Sequence, residues 1–175
     1  MDSDLWIQIL ELVVLLALSG FFSSAETAMV SVSKIRLRTL EEEGNKKAAL
    51  ALKILENQSK MLSAILIGNN LVNTSAASIA SVIAYSFGGA AVSIATFIIT
   101  FLILVFGEIT PKTWATINAD KLALAYAPII LLLMKVLTPV IWFVNLFSSG
   151  ILKLMGIQNS NKNISMTESE LRTIV

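Results

Sequence analysis

Three long apolar stretches dominate the hydrophobic pattern of the chain, at about residues 5–32, 61–86 and 90–115. A helix rises about 1.5 Å per residue, so about 20 residues cross the hydrocarbon of a bilayer. Each stretch is long enough to span, and we predict an all-α membrane protein with three transmembrane helices. The uncharged sequence Phe87-Gly88-Gly89 is expected to form a tight turn between the second and third spans.

The segment from Lys34 to Lys60 interrupts this pattern with many charged residues. Its leucines and alanines recur at near-helical spacing, which predicts two short amphipathic helices separated by a turn at Gly44-Asn45. Basic loops stay on the cytoplasmic side of a membrane. The first span therefore runs inward, with the N-terminus outside and the C-terminus in the cytoplasm of a multi-pass cell-membrane protein.

Residues 122–156 are apolar enough for a fourth crossing, but three residues argue against it. Lys135 would lie near the middle of the membrane, and Pro128 and Pro139 are expected to break the run into short pieces. We therefore predict cytoplasmic helices in the membrane interface. The first domain then covers residues 1–156.

Residues 157–175 are predicted to be a polar linker that leads into a further domain. Thr167 and Glu170 have the spacing of a capping box, which indicates the start of a helix. We expect this helix to lead into a cytosolic domain that is absent from the sequence.

Composition agrees with a membrane protein and limits its chemistry. The chain is 55% hydrophobic and 14% charged, with no cysteine and no histidine. Thiolate and imidazole metal sites and the commonest catalytic groups are therefore excluded, so we do not expect an enzyme. The net charge of +1 gives no support for nucleic-acid binding.

The polar residues inside the spans are expected to meet in the inner half of the membrane. From the outer surface, the helical rise places Ser19 and Ser23 at about 21 and 27 Å, and Glu108 at about 27 Å. Asn69 and Asn73 come to about 18 and 12 Å on the same scale. A carboxylate at such depth needs a cation, a basic partner or a proton.

Other interpretations of these residues remain open. The serines and asparagines are also typical of hydrogen bonds between membrane helices, and Glu108 could pair with Lys112 one turn away. Asn69 and its neighbour Asn70 both offer an amide oxygen. The four-residue spacing of alanines in the second span suits a packing seam within the chain or a dimer seam, and these residues are Ala76, Ala80 and Ala84.

Two backbone carbonyls add to the candidate ligands. Pro111 cannot donate a hydrogen bond, which frees the carbonyl of Gly107, and Gly68 can expose its own carbonyl. Hydroxyl, amide, carboxylate and carbonyl oxygens together suit a hard cation. Mg²⁺ fits this set, and Na⁺ would accept the same ligands.

Three stretches of the sequence resemble the transmembrane domain of the CNNM/CorC family of magnesium transporters. They are Ser19-Gly20-Phe21-Phe22-Ser23, Gly68-Asn69-Asn70-Leu71-Val72-Asn73 and Phe106-Gly107-Glu108-Ile109-Thr110-Pro111-Lys112. The resemblance implies a homodimer of three-helix protomers in the bilayer, a belt of juxtamembrane helices, and a following CBS-pair domain that binds ATP with magnesium. It also implies Mg²⁺ export, thought to be driven by Na⁺ influx.

The resemblance further implies an ion site formed by seven residues. These are Ser19, Ser23, Gly68, Asn69, Asn73, Gly107 and Glu108. Glu26 stands where some members of the family have asparagine, so it could serve a sodium or proton step or simply lie at the inner interface. The competing hypothesis is a membrane-anchored Mg²⁺ sensor in which the ion is structural and no transport occurs.

Overall fold

The computed structural model describes residues 2–154, apart from the side chains at positions 2, 3, 90, 152 and 153. The predicted linker at 157–175, with its helix start at Thr167, lies outside the described residues. All regular secondary structure in the described part is helical. In chain order the elements are α1 (Asp2–Ser31), α2 (Lys34–Glu42), α3 (Lys46–Leu55), α4 (Gln58–Tyr85), α5 (Gly89–Leu102), a π-helix (Ile103–Ile109), α6 (Thr110–Ile117), α7 (Ala119–Val136) and α8 (Thr138–Leu154).

Two helical stretches are long and apolar enough to cross a membrane, Asp4–Ser31 and Ala91–Ile117. They coincide with the first and third predicted spans. A third candidate arises only if α7 and α8 are counted together as one broken span. The predicted span at 61–86 does form a helix of 28 residues, α4, but its asparagines, serines and threonines make it less apolar than the other two. The crossing by α4 therefore stays a prediction.

The buried core lies around the C-terminal half of α1. Ala25, Ala28 and Met29 are buried there, whereas Trp6 and Leu10 in the N-terminal half are largely exposed. α1 packs against α4, the π-helix, α6 and α7. The small side chains on α1 let the other helices approach closely, which is how membrane helices associate without a hydrophobic driving force.

The alanine stripe of α4 is buried within the chain. Ala76, Ala80 and Ala84 are between 1% and 8% exposed. Of the two interpretations of this stripe, the structure supports a packing seam inside the chain.

The predicted amphipathic helices are confirmed as α2 and α3. Ser33 and Asn45 cap them, and Gly44 between them has φ of +87°, a conformation that glycine adopts without strain. Asp120 joins α2 to the start of α7, because it accepts from the Ser33 N–H over 3.3 Å and lies 3.2 Å from the Arg36 guanidinium.

The predicted break at Pro128 is wrong. Pro128 lies inside α7, which continues to Val136, and the interruption falls at Leu137, just before Pro139. A proline removes one helical hydrogen bond, but tertiary packing can hold the helix together, and Ala127 and Ile130 on either side of Pro128 are fully buried. The chain divides into compact units at Thr138. In the second unit Phe143 packs on Phe147, with ring centroids 4.9 Å apart.

Candidate metal centre

Two serines of α1 are buried on one face of the helix. Ser19 and Ser23 are four residues apart, and their exposures are 1% and 0%. Ser23 Oγ has no hydrogen-bond partner among the described residues. A buried hydroxyl without a partner costs free energy, so an additional group that satisfies Ser23 would stabilise the protein.

Asn69 of α4 lies against Ser19, and Asn73 lies one turn further along α4. Asn69 Oδ1 accepts a hydrogen bond from Ser19 Oγ over 3.5 Å and another from Asn73 Nδ2 over 3.5 Å. Asn73 Oδ1 is buried and has no partner among the described residues. Asn70 is exposed, so the structure places Asn69, and not its neighbour, against α1. We call the side chains of Ser19, Ser23, Asn69 and Asn73 the polar cluster.

Gly107 brings the third helical segment directly against the polar cluster. A Cβ atom at this position would lie 2.5 Å from Ser19 Oγ and 3.1 Å from Ser19 Cβ. No side chain fits in that space, so only glycine allows the backbone this close to Ser19.

Gly68 serves a different contact in the structure. A Cβ atom there would lie 2.6 Å from the ring of Phe22, so Gly68 allows Phe22 of α1 to pack on α4. Its role as a carbonyl ligand stays a prediction.

The backbone around Gly107 is a π-helix, which the sequence analysis did not predict. The Thr110 N–H donates to the carbonyl of Val105, five residues earlier. Pro111 has no N–H, so it cannot donate to the carbonyls of Gly107 or Phe106, four and five residues before it. The Phe106 carbonyl oxygen lies close to Gly20, since a Cβ atom added at Gly20 would be 3.2 Å from this oxygen. The expectation that Pro111 frees backbone oxygen here is consistent with this geometry.

Glu108 follows Gly107 in the π-helix and is partly buried. The alternative in which Glu108 pairs with Lys112 is wrong, because Lys112 Nζ lies 3.5 Å from Glu26 Oε2 instead. Among the described residues, Glu108 forms no ion pair and no side-chain hydrogen bond. A carboxylate without a protein partner at this position is available for a cation.

The arrangement brings oxygen-bearing side chains of α1 and α4 together with the backbone of Gly107. Ser19, Asn69, Asn73 and Gly107 are brought together, and Ser23 lies one turn further along α1. The described part of the chain contains no group of three or more His, Cys, Asp or Glu side chains that could hold a metal. The chemistry therefore suits a hard cation bound mostly by neutral oxygens.

Sequence reasoning missed two contacts that support these residues. Pro111 packs against Gly20, since a Cβ atom added at Gly20 would lie 3.2 Å from Pro111 Cγ. Ser24, next to Ser23, is 2% exposed and is hydrogen-bonded with Tyr126 Oη over 3.2 Å. The glycine in the Ser19-Gly20 pair was a signal for close approach, whereas nothing in the sequence indicates which helix contacts Ser24.

The comparisons with known proteins agree with this architecture. Residues 10–175 match the Cyclin M transmembrane N-terminal domain that defines the CNNM family. The chain is 43% identical over 165 residues to a UPF0053 protein of Haemophilus influenzae, covering 94% of this chain and 39% of the relative. It is 35% identical over 160 residues to the UPF0053 inner membrane protein YfjD of Escherichia coli, covering 90% of this chain and 37% of the relative.

A chloroplastic DUF21 domain-containing protein of Arabidopsis thaliana is 36% identical over 165 residues, which cover 94% of this chain and 25% of the relative. The chain thus spans about two fifths or less of the length of these curated relatives. With its long apolar helices and its match over almost the whole sequence, this chain is a multi-pass membrane protein that belongs to the CNNM (CorC) family.

Proposed function

We propose that the chain is the membrane domain of a Mg²⁺ transporter and that the ion is bound between α1, α4 and the π-helix. The observation that carries the proposal is a set of oxygens without partners. Ser23 Oγ and Asn73 Oδ1 are buried and unsatisfied, and Glu108 has no ion-pair partner among the described residues. The helical rise separates Ser23 from Asn73 by about 15 Å along the membrane normal, so a cation at Glu108 would satisfy one of these two buried oxygens together with the carboxylate.

The number and kind of oxygens favour Mg²⁺ as the cargo. Mg²⁺ requires six oxygens in an octahedron, and it commonly binds through one or two carboxylates. The polar cluster, Glu108 and the carbonyls of Gly68 and Gly107 supply enough oxygens for a largely dehydrated ion. Ca²⁺ commonly takes six to eight oxygens with several carboxylates, so the single acidic side chain makes it a poorer fit.

The finer parts of the proposal rest on the resemblance to the family and on charge. They are export of Mg²⁺ from the cytoplasm, coupling to Na⁺ influx, a homodimer, and ATP bound only through a following cytosolic domain. The basic residues of α2 and α3 support a cytoplasmic location for these helices, and hence an external N-terminus and a crossing by α4.

The test uses two substitutions of Glu108 in the purified protein. Glu108→Ala removes the carboxylate, and Glu108→Gln keeps its shape without the charge. We expect both to abolish Mg²⁺-dependent thermal stabilisation in detergent and Mg²⁺ flux into or out of liposomes. Stabilisation that is unchanged in both variants would contradict the site.

Flux measurements with the unsubstituted protein separate transport from sensing. Mg²⁺ that stabilises the protein but does not move across the liposome membrane would favour the membrane-anchored sensor. Stabilisation together with flux that is lost in Glu108→Ala would favour the transporter.

A further inference from the structure

Glu26 of α1 and Lys112 of α6 form an ion pair. Along each of these two helical segments, the pair lies close to a residue of the proposed ion site. Glu26 follows Ser23 by three residues, so Ser19, Ser23 and Glu26 lie on one face of α1. Lys112 follows Glu108 by four residues in α6. Both members of the pair are therefore about one turn beyond a proposed ion ligand, on the side towards the basic helices α2 and α3.

The pair differs from the polar cluster in its exposure. The side chains of Lys112 and Glu26 are 43% and 42% exposed, and their charged atoms lie 3.5 Å apart. Ser23, one turn away on α1, is fully buried. An ion pair this exposed contributes little to stability, so a competing cation can replace the lysine at small cost.

We propose that Glu26 is a further cation-binding residue, which takes a hydrated divalent cation before that cation reaches the buried polar cluster. The ammonium of Lys112 occupies the Glu26 carboxylate in the absence of the ion, and the arriving cation displaces it. Mg²⁺ gives up its water reluctantly, so a partly exposed carboxylate suits the ion while it keeps its hydration shell. This inference rests on the proposed function, because it assigns a step on the route to the same site.

We expect substitutions in this ion pair to change how the flux depends on the Mg²⁺ concentration. Lys112→Met removes the competing cation and should lower the KM for Mg²⁺ several-fold when Mg²⁺ is supplied on the side of α2 and α3. Glu26→Gln removes the proposed ligand and should raise that KM several-fold. In both variants kcat should change little, and Mg²⁺ supplied on the opposite side should show no such shift in KM.

The chain offers matched controls for this experiment. Glu26→Asp and Lys112→Arg keep both charges and should shift the KM less than Glu26→Gln and Lys112→Met. Arg36 and Asp120 form another ion pair, over 3.2 Å and away from the polar cluster, so Arg36→Gln should leave the KM unchanged. If Lys112→Met or Glu26→Gln fails to fold, the charge-exchanged variant, Glu26→Lys with Lys112→Glu, is used because it retains the ion pair. It should keep a KM within about twofold of normal.

The outcomes distinguish this inference from the proposed function. If Glu108→Ala abolishes flux while Lys112→Met and Glu26→Gln leave the KM unchanged, the role of Glu26 is overturned and the transporter stands. If Glu108→Ala leaves Mg²⁺ binding and flux unchanged, the proposed function itself fails. Opposite shifts of the KM in the two variants, on one side only, would support the inference.

Discussion

Ser19 of α1 donates a hydrogen bond to Asn69 of α4 over 3.5 Å, although the two residues are 50 positions apart. A contact at this distance is at the upper limit for a hydrogen bond and is weak. It therefore leaves both oxygens largely available to a cation. The backbone of Gly107 closes the same space from a third direction, since a Cβ there would lie 2.5 Å from Ser19 Oγ.

Gly107→Ala should disturb both the packing and the proposed ion site. The added methyl group overlaps Ser19 Oγ, so Ser19 must rotate away from Asn69 or the π-helix must shift. Overpacking of this kind costs about 1–3 kcal/mol in free energy of unfolding. We expect a lower melting temperature and loss of the further stabilisation by Mg²⁺, both measured by thermal denaturation in detergent.

Gly150→Ala is the control for this change, because a Cβ at Gly150 meets no described atom within 4 Å. Alanine in a helix is favoured over glycine by about 1 kcal/mol, so Gly150→Ala should not lower the melting temperature. A Gly107→Ala protein with a normal response to Mg²⁺ would show that the close approach to Ser19 has no part in binding.

Ser23 and Ser24 should respond in opposite ways to replacement by alanine. Ser23 Oγ is buried and has no partner in the part of the chain that the structure describes, whereas Ser24 Oγ is hydrogen-bonded with the Phe21 carbonyl over 2.9 Å and with Tyr126. An unsatisfied buried polar group costs about 1–3 kcal/mol, so Ser23→Ala should not lower the melting temperature without Mg²⁺. It should, however, reduce the Mg²⁺-dependent shift.

Ser24→Ala should instead lower the melting temperature without Mg²⁺ and keep a normal Mg²⁺-dependent shift. The physical reason is that it leaves the hydroxyl of Tyr126 without its partner on α1. Both variants are measured in the same thermal denaturation series. The assignment of Ser23 fails if the two variants lose stability and Mg²⁺ response in parallel.

Phe22 and Gly68 should show strong coupling in a double-mutant cycle. Gly68→Ala places a methyl group 2.6 Å from the ring of Phe22, which is 8% exposed and cannot move without opening the contact between α1 and α4. We expect Gly68→Ala to destabilise the protein by about 1–3 kcal/mol. Phe22→Leu should recover part of this loss in the double variant, because the smaller side chain makes room for the methyl group.

Additive effects of the two substitutions would contradict direct packing of Phe22 on Gly68. The comparison needs four proteins, namely the unsubstituted chain, each single variant and the double variant. Their melting temperatures are measured in one detergent without Mg²⁺.

The sequence predicted the helices and most of the residues that meet between them. Apolar length identifies α1 and the helix that contains Glu108, and four-residue spacing places Ser19 with Ser23 and Asn69 with Asn73. Ser19 and Asn69 were expected at similar depth, and the hydrogen bond between them confirms that they meet.

Other features depend on tertiary contacts that sequence spacing does not specify. The π-helix brings Gly107 against Ser19, and a proline at 111 is compatible with a regular helix start as well. Lys112 pairs with Glu26 and not with Glu108, because α6 packs on α1. Sequence spacing suggests pairs within one helix, but it does not show which residues of two different helices will meet. Pro128 was expected to break α7, but buried neighbours hold the helix together.

The proposed topology can be tested by cysteine labelling, because the chain has no natural cysteine. Glu42→Cys and Ser86→Cys place single thiols at exposed positions, at the end of α2 and after α4. If α4 crosses the membrane, a membrane-impermeant maleimide should label the two proteins from opposite sides. In intact cells we expect labelling at position 86 and protection at position 42, and labelling of both from one side would contradict the crossing.

Pro111→Ala should weaken ion binding without lowering the melting temperature of the protein. Alanine restores an N–H at position 111, which can donate to the carbonyl of Gly107 or Phe106 and so compete with a cation for backbone oxygen. Pro128→Ala is the matched control, because Pro128 also lies inside a helix but in α7, away from the polar cluster. Each substitution restores a hydrogen-bond donor, and we expect both variants to melt at or above the temperature of the unsubstituted protein.

The two proline variants should differ in their response to Mg²⁺. Pro128→Ala should keep the full Mg²⁺-dependent shift in melting temperature, whereas Pro111→Ala should lose most of it. Pro111 also packs against Gly20, since a Cβ atom added at Gly20 would lie 3.2 Å from Pro111 Cγ. Pro111→Ala loses this contact, so it should gain less stability than Pro128→Ala. An equal Mg²⁺ response in the two variants would mean that the carbonyls freed by Pro111 do not contribute to the ion site, and the ligands would then be the side chains alone.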